Sequence, residues 1–394
     1  MKKSILTINA GSSSIKFALF ELALPIPEKA SISGLIDGIG TDGVKLVAKN
    51  LSGEKVSDEA LPGANAVRHK EAFDYLLEWF AGHEKDSEIV AVGHRIVHGG
   101  DYYSKPTVLT KADLDRLAMY VKLAPLHQPH NLNGIYTISA ALKDIPQVAC
   151  FDTAFHRTQP RISQIYGLPR KYSDEGIKRY GFHGISYEYI SSVLPKHNPR
   201  ASGRVVVAHL GNGASMTSMQ DLKCVSTTLG FSTLDSLIMG TRCGPLDPGI
   251  VLYLMDEKKM GFDELTQLFY KESGLLGVSG ISPDMRTLTA SDSPEAKEAI
   301  ELFCYRVARE LGSLSATIGG LDILVFTGGI GENATIVRQR VGELANWQGI
   351  VLDPDANAKN ALFISTPEST VDVMVVPTNE EYMIAKHTQA LLNL

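Results

Sequence analysis

The 394-residue chain has little of what marks a secreted or nucleic-acid-binding protein. It contains four cysteines, Cys150, Cys224, Cys243 and Cys304, and no CxxC pair. A chain of this length does not need disulfides for stability, so reduced thiols and a cytoplasmic location are predicted. The net charge of -6 argues against a broad basic surface, and therefore against nucleic acid or an anionic membrane as a partner.

Long hydrophobic runs and the common nucleotide signatures are also missing from the sequence. The apolar stretch after Met1-Lys2-Lys3 ends at Asn9, which is too short for the core of a signal peptide, and no other run could span a bilayer. There is no GxxxxGK[ST] P-loop, no GxGxxG near the start and no protein-kinase catalytic loop. A bound nucleotide would therefore need another kind of site.

Short apolar runs alternate along the chain with segments of helical periodicity. Phe73, Leu76, Leu77 and Phe80 follow the i, i+3, i+4, i+7 spacing of an amphipathic helix. The mixture predicts an α/β protein, and the length favours two domains. The runs that predict buried strands are Ile5–Ile8, Ile89–Val92, Val148–Phe151, Val205–Ala208, Ile323–Phe326 and Val373–Val376.

A weak internal repeat indicates a duplication. Residues 5–19 and 205–219 each consist of an apolar strand, a turn rich in Gly, Asn and hydroxyl residues, and a return strand with alternating side chains. Two such hairpins, one in each half, favour a duplicated domain with a cleft between the copies. Short similarities of this kind also arise by chance.

Three segments of small residues suit phosphate binding: Asn9–Ser14, His209–Gly213 and Gly328–Asn333. Small side chains allow backbone N–H groups to approach phosphate oxygens closely. The third segment lies between a predicted strand and a predicted helix, which is a common anion site. Each segment by itself could equally be a tight turn with positive φ, but three together favour an anion-binding role.

Asn9 and Glu380 are candidate ligands for Mg²⁺, which prefers oxygen donors. Thr378 and Glu381 fit the spacing of a capping box, and this would leave Glu380 available for a metal. The alternative is that Glu380 only complements the dipole of a C-terminal helix.

Nine stretches then form a set that runs from one end of the chain to the other. They are INAGSSSIKF (Ile8–Phe17), GHRIVHGG (Gly93–Gly100), APLHQPHN (Ala124–Asn131), FDTAFH (Phe151–His156), YGFHGISY (Tyr180–Tyr187), HLGNGAS (His209–Ser215), MGTRCGPLDPG (Met239–Gly249), FTGGIGEN (Phe326–Asn333) and PTNEE (Pro377–Glu381). In sequence and order they resemble the acetate kinase family, within the superfamily of acetate and sugar kinases, heat-shock chaperones and actin.

The resemblance implies a duplicated actin-like (ribonuclease H-like) α/β fold with an interdomain nucleotide cleft. It implies a first domain of residues 1–152 completed by a C-terminal helix at 380–394, a second domain at 153–379 with most of the nucleotide site, and a homodimer. The implied reaction is reversible transfer of the ATP γ-phosphate to acetate, giving acetyl phosphate and ADP, with Mg²⁺ or Mn²⁺.

A carboxylate acceptor determines which side chains this reaction needs. A carboxyl group with a pKa of roughly 4.3 is ionised at neutral pH, so no general base is required. The resemblance assigns Arg95 to the substrate carboxylate and Arg242 to the transferring phosphoryl group, since guanidinium forks pair with both anions. His183 is expected to donate a hydrogen bond to that phosphoryl group, with His127 as a weaker candidate. Asp152 is interpreted as an orienting residue and not as a base.

The nucleotide and acyl sites are also implied by the resemblance. Lys16 is assigned to ATP, although it fits an ordinary exposed position of an alternating strand. The other expected nucleotide residues are His209, Leu210, Gly211, Asn212 and Gly213, then Asp284, Met285 and Arg286 near the adenosine, and Gly328, Gly329, Ile330, Gly331 and Glu332. The expected acyl pocket consists of Val97, Leu126, Phe182 and Thr233.

Thr233 stands where many family members have proline, so the preferred acid stays open. One methylene group changes binding by only about 1–3 kcal/mol, and a propionate kinase is therefore the nearest alternative. A second alternative is a nucleotide-driven conformational protein of the same superfamily, which would lack the carboxylate site with two arginines.

Overall fold

The computed structural model describes residues 1–11, 13–41, 43–62, 67–124 and 127–394. The chain divides into two compact units. Unit 1 comprises Met1–Ala154 and Asn379–Leu394, and unit 2 comprises Phe155–Thr378. Each unit is built on one β-sheet with helices, which confirms the predicted α/β class.

The strands and helices of the described residues are numbered in chain order. The strands are β1 (Lys2–Ala10), β2 (Ser14–Glu21), β3 (Ile32–Asp37), β4 (Lys45–Asn50), β5 (Lys55–Ala60), β6 (Ser87–Ile96), β7 (Thr107–Val108), β8 (Gln147–Phe151), β9 (Val205–Leu210), β10 (Ala214–Gln220), β11 (Lys223–Thr227), β12 (Ile323–Thr327) and β13 (Asp372–Val375). The helices are α1 (His69–His83), α2 (Lys111–Met119), α3 (Gln128–Ala141), α4 (Arg161–Gln164), α5 (Arg170–Asp174), α6 (Gly184–His197), α7 (Pro248–Asp256), α8 (Phe262–Lys271), α9 (Gly274–Ser279), α10 (Met285–Thr289), α11 (Pro294–Thr317), α12 (Gly328–Asn333), α13 (Thr335–Leu344), α14 (Pro354–Ala358) and α15 (Glu380–Leu392).

The sheet of unit 1 has the strand order β5-β4-β3-β2-β1-β6-β8-β7. Its central strand β1 is apolar on both faces because helices cover both sides. Leu6 and Ile8 join the cluster under α1, whereas Ile5 joins a separate cluster with Ala385 of α15. A strand covered on both faces is expected to be a nearly continuous apolar run. Residues 5–8 fit this except for Thr7, whose hydroxyl donates to the Ala18 carbonyl.

The predicted helical stripe at residues 73–80 lies in α1. Phe73, Leu76 and Phe80 are buried, and Phe17 of β2 contacts Phe80 edge-to-face at a centroid distance of 5.4 Å. Full burial of such a side chain contributes about 1.5–3 kcal/mol, so this stripe attaches α1 firmly to the sheet.

The C-terminal helix α15 packs on the same sheet where β6 carries a glycine. A Cβ at Gly93 would lie 2.5 Å from both Ile384 Cγ2 and Thr388 Oγ1, so only glycine permits this close approach. The helix is capped by Asn379, whose side chain accepts a hydrogen bond from the Tyr382 N–H at 3.1 Å. The predicted capping box of Thr378 and Glu381 is therefore wrong.

The sheet of unit 2 has the order β11-β10-β9-β12-β13 and repeats part of the first sheet. Strands β3-β2-β1-β6-β8 and β11-β10-β9-β12-β13 correspond one by one: three antiparallel strands followed by two parallel ones. The two predicted hairpins are β1–β2 and β9–β10. The internal repeat seen in the sequence is thus a repeat of topology.

One predicted loop has a different structure. Residues Gly328–Asn333 were expected to form a Gly-rich turn, but they form the short helix α12 directly after β12. Gly328 has φ +77°, and a Cβ there would lie 2.8 Å from the Leu210 carbonyl oxygen, so the turn into α12 requires glycine. In the described part of the chain, no helix is both long and apolar enough to cross a membrane.

Candidate active site

Arg95 and Asp152 form a buried ion pair in unit 1. They lie at the carboxyl ends of the neighbouring parallel strands β6 and β8, where Arg95 is paired in register with Cys150. Arg95 Nε donates to Asp152 Oδ1 at 2.9 Å, and Nη2 donates to Oδ2 at 2.6 Å. The side chain of Asp152 is 1% exposed and that of Arg95 is 19% exposed. Two parallel bonds of this kind fix the guanidinium plane.

The charge of Arg95 is secured by its surroundings. Burial by itself lowers the pKa of Arg95, but the negative charges of Asp152 and Glu380 outweigh it and raise the pKa above the usual value. Arg95 Nη1 donates to Asn9 Oδ1 at 3.1 Å, and Glu380 Oε2 lies 4.0 Å from the same nitrogen. Asn9 and Glu380, the predicted metal ligands, therefore lie beside Arg95.

The guanidinium keeps part of its donor capacity. Arg95 has five N–H groups, of which three donate to Asp152 and Asn9. One N–H on Nη1 and one on Nη2 have no acceptor among the residues that the structure describes. A carboxylate or phosphate is the kind of acceptor that such guanidinium donors bind.

Lys16, Glu380 and Glu381 belong to the same region of unit 1. Lys16 is exposed on β2 and is paired in register with Asn9. The pKa of Glu381 is raised by burial and by the charge of Glu380, while Lys16 and Arg95 oppose the shift. The structure thus places Lys16 near acidic groups, and the other predicted nucleotide residues belong to unit 2.

In unit 2, His183 is held in an unusual backbone conformation at the start of α6. It has φ 56° and ψ 23°, which is the left-handed region. Its Nδ1 lies 2.8 Å from Ser215 Oγ, and its ring stacks on that of His209 at a centroid distance of 4.4 Å. A Cβ at Gly213 would lie 3.1 Å from His183 Nε2, so this nitrogen faces the turn between β9 and β10.

Glu332 has a role that the sequence did not indicate. Its Oε1 accepts hydrogen bonds from the backbone N–H groups of Gly328 at 2.9 Å and Thr378 at 3.1 Å. The carboxylate therefore joins the start of α12 to the segment after β13. We interpret Glu332 as an organiser of the local backbone, because a bare carboxylate would repel phosphate.

A cavity of about 1060 Å³ in unit 2 collects many of the predicted nucleotide residues. The predicted residues that line it are Gly211, Asn212, Asp284, Met285, Arg286, Gly329 and Ile330. Its other lining residues are Asn333, which ends the predicted segment Gly328–Asn333, and Pro283, Thr289, Ala290, Ala334, Thr335 and Ile336, which the sequence did not predict. These seven lie in the turn before α10, in and just after α10, or from the end of α12 to the start of α13.

The mouth of this cavity carries an exposed ion pair. Arg286 Nη2 donates to Asp284 Oδ2 at 2.6 Å, and the hydrogen bond from Arg286 lowers the pKa of Asp284 to about 2. The side chain of Arg286 is 91% exposed, so it is accessible to a ligand in solution.

The remaining predicted site residues are divided between the two units. Arg242 Nη1 donates to the Thr233 carbonyl at 2.9 Å in unit 2, where Phe182 is buried. Val97 is buried in unit 1, and its N–H donates to Asn131 Oδ1 at 3.0 Å. His127 precedes α3 as its N-cap residue. Leu126 lies outside the described residues, and the acyl pocket as a whole stays a prediction.

Sequence reasoning overlooked the side chains that support the two histidines. Ser215 and Tyr187 lie behind His183, and Ser186 Oγ lies 2.8 Å from both His209 Nδ1 and Thr378 Oγ1. One signal was available: β10 reads as a buried strand that contains Ser215, Thr217 and Ser218, and buried hydroxyls nearly always have hydrogen-bond partners.

Together, these features define a class of protein. The chain has the duplicated actin-like α/β fold, with a large cavity beside small-residue segments in one unit and a buried arginine–carboxylate cluster in the other. Comparison with known proteins identifies the family within that class.

The model of the acetokinase family matches residues 4–386. The acetate kinase of Methylocella silvestris is 50% identical over 400 residues, covering 100% of this chain and 99% of that protein. Among solved structures, a propionate kinase from Francisella tularensis has a TM-score of 0.91 at 38% identity, covering 98% of this chain and 99% of that one. The acetate kinase of Porphyromonas gingivalis has a TM-score of 0.86 at 36% identity, covering 99% and 100%. The chain belongs to the acetokinase family, which confirms the resemblance found in the sequence.

Proposed function

We propose that the chain is an acetate kinase that transfers the γ-phosphate of ATP to acetate, reversibly, and forms acetyl phosphate and ADP. The observation that carries this proposal is the state of Arg95. One edge of its guanidinium is fixed by Asp152, and one N–H on Nη1 and one on Nη2 have no acceptor among the described residues. A carboxylate substrate is a natural ligand for these two donors.

The chemistry follows from an acceptor that is already charged. A carboxylate oxygen of acetate forms the new bond to the γ-phosphorus while the bond to the oxygen bridging to the β-phosphate breaks, and ADP leaves with that electron pair. No proton has to be removed, and both oxygens of Asp152 accept from Arg95. This supports an orienting role for Asp152. The main task of the protein is to place two anions together and to stabilise the transferring group.

The nucleotide is assigned to the cavity of unit 2. The side chains of Met285, Ile330 and Ile336 give it an apolar part suited to a base, and Gly211 and Gly329 give it accessible backbone suited to phosphates. Arg242 and His183 are proposed to contact the transferring phosphoryl group, with His127 as a further candidate. A cleft between the two units stays a prediction.

Mg²⁺ is the proposed metal, with Mn²⁺ as a substitute. Asn9 and Glu380 present one amide and one carboxylate oxygen near Arg95 Nη1. This donor set suits Mg²⁺, which is commonly held by one or two side chains together with water and substrate phosphates. Bound there, the ion would supply positive charge to the phosphate oxygens.

Propionate kinase is the second candidate. It is favoured by the similarity to the Francisella tularensis structure and by Thr233, which replaces a proline expected in the acyl pocket. Measurement of kcat/KM for acetate, propionate and butyrate with the purified protein separates the two. We expect acetate to give the highest value, and a higher value for propionate would favour the alternative.

Product trapping tests the reaction itself. Purified protein is incubated with ATP, Mg²⁺ and acetate, and acyl phosphate is captured with hydroxylamine. We expect trapped product in amounts equal to the ADP released. ATP hydrolysis without trapped product would contradict the proposal and favour a nucleotide-driven conformational protein.

A homodimer in the cytoplasm is also proposed. Helix α7 supports it, because none of its nine residues is buried although most are apolar. Leu252, Tyr253 and Met255 are each more than half exposed, and a second copy of the chain would cover such a patch. Sedimentation should give a dimer for the wild type and a monomer for Leu252→Lys. The matched control Leu51→Lys changes an exposed leucine of unit 1 and should stay dimeric.

A further inference from the structure

Three side chains of unit 2 form a hydrogen-bonded series behind His183. Tyr187 Oη lies 2.5 Å from Ser215 Oγ, and Ser215 Oγ lies 2.8 Å from His183 Nδ1. Tyr187 and Ser215 are completely buried. We propose that Ser215 and Tyr187 are positioning residues that hold His183 in a single neutral tautomer, with its proton on Nε2. The consequence for catalysis rests on the role proposed above for His183.

The direction of the hydrogen bonds follows from Tyr187. Burial raises the pKa of Tyr187, so its hydroxyl keeps its proton at neutral pH and must donate it to an acceptor. The Ser215 oxygen, at 2.5 Å, is at the short end of O–H···O distances. The backbone N–H of His209 and the side chain of Thr217 also bond to the Tyr187 oxygen, and Thr217 gives its own proton to Thr227. We take Ser215, at 2.5 Å, as the acceptor of the Tyr187 proton.

Ser215 then has one proton left to place. A serine hydroxyl donates one proton, and the Tyr187 proton occupies one of its two acceptor positions. The remaining close polar neighbour of Ser215 is His183 Nδ1 at 2.8 Å. If Nδ1 accepts the Ser215 proton, a neutral imidazole must carry its own proton on Nε2.

The position of Nε2 explains why this tautomer matters. That nitrogen faces Gly213, whose carbonyl accepts from the Gly211 N–H at 3.1 Å in the turn beside the nucleotide cavity. A proton on Nε2 makes His183 a hydrogen-bond donor toward the place assigned to phosphate. The opposite tautomer would present a lone pair there and would repel a phosphate oxygen.

The backbone of His183 makes such support necessary. A left-handed conformation costs a residue with a side chain about 1–2 kcal/mol, so the ring needs outside contacts to hold one orientation. His156 adds a second support, because its Nε2 lies 2.8 Å from the Phe182 carbonyl, directly before His183. The ring of His183 is thus restrained from the side chain and from the backbone.

The test is a direct measurement of the tautomer by long-range ¹H–¹⁵N NMR on the full-length protein. The His183 signals are assigned by their loss in His183→Gln, and spectra are recorded well above the ordinary histidine pKa, at about pH 8. We expect a protonated Nε2 and an unprotonated Nδ1 in the wild type. A wild-type spectrum with the proton on Nδ1 would overturn the proposal without any further variant.

Two variants and one control complete the test. Ser215→Ala and Tyr187→Phe should each give a mixture of both tautomers and lower kcat by about 10- to 100-fold with little change in the KM for ATP. Ser218→Ala removes another buried hydroxyl of β10, which bonds to Thr317, and should leave both the tautomer and kcat unchanged. An unaltered tautomer in Ser215→Ala and Tyr187→Phe would refute the inference.

The outcome is separable from that of the proposed function. If His183→Gln keeps full acetate kinase activity, the catalytic role of His183 is wrong, while the tautomer measurement still decides whether Ser215 and Tyr187 hold the ring.

Discussion

Replacement of Asp152 by asparagine is the sharpest single test of the carboxylate site. Asp152→Asn keeps the size of the side chain but removes its charge and one acceptor oxygen. Arg95 Nη2 or Nε would then face an amide NH₂ group in place of an oxygen that now lies 2.6 or 2.9 Å away. We expect the guanidinium to lose its fixed orientation and to move toward Glu380, which is 4.0 Å from Nη1.

The size of the effect follows from burial. Removing one partner of a buried ion pair costs about 3–5 kcal/mol, and because Arg95 keeps 19% exposure we expect the lower end of that range. A displacement of about 1 Å at a substrate-holding group lowers the rate by about 100-fold, equivalent to about 2.7 kcal/mol. We therefore expect kcat/KM for acetate to fall by at least 100-fold, while the affinity for ATP changes little.

Unfolding in urea measures the stability, and initial rates at varied acetate measure the kinetic loss. Asp322→Asn is the matched control, because Asp322 forms the same two-bond pair with Arg204 at 3.0 and 2.6 Å in unit 2. This control should lower stability and leave the acetate kinetics unchanged. Asp152 does not orient Arg95 for acetate if the kcat/KM of Asp152→Asn stays within twofold of the wild type. The same conclusion follows if Asp322→Asn lowers kcat/KM for acetate as strongly as Asp152→Asn does.

Three further predictions concern single residues. Arg338 is fully buried, has only neutral acceptors and donates to the Gly331 carbonyl at 2.8 Å. Arg338→Met should therefore lower the free energy of unfolding by about 3 kcal/mol and raise the KM for ATP. Gly93→Ala should lower the Tm, because the added Cβ meets Ile384 and overpacking costs about 1–3 kcal/mol. Burial lowers the pKa of His94 to about 4, and its neutral form is therefore favoured in the folded state. The stabilising contribution of neutral His94 is fully present above its unfolded pKa of about 6.5, and the free energy of unfolding should fall by up to about 3 kcal/mol as the pH drops toward 4. Urea titrations at several pH values should detect this loss.

Each of these predictions has a clear contrary result. An unchanged KM for ATP in Arg338→Met would show that Arg338 does not support nucleotide binding. A wild-type Tm in Gly93→Ala would mean that α15 can shift at no cost. If His94→Gln retains the full loss of stability between about pH 6.5 and 4, other groups cause it.

The local pattern of the sequence was sufficient for the central strands and for the duplication, but not for β3, β4, β5, β7 and β11. Residues 205–208 are apolar at every position, and residues 5–8 at every position but Thr7, because both faces of the central strands are covered. The small-residue segments were also visible, since backbone access to a ligand demands small side chains in short stretches of chain. The residues around Met285 were named only through the family resemblance.

What the sequence by itself determined is therefore the central strands, the repeat and the family. Only the tertiary structure decided the partners: Asp152 holds Arg95 from 57 positions away, Glu332 bonds to backbone N–H groups, and Ser215 and Tyr187 support His183. Periodicity reports whether a residue is buried, because burial repeats with the geometry of the strand or helix. A hydrogen bond between distant residues depends on sheet register and side-chain direction to within a few tenths of an ångström, and no local pattern carries that information.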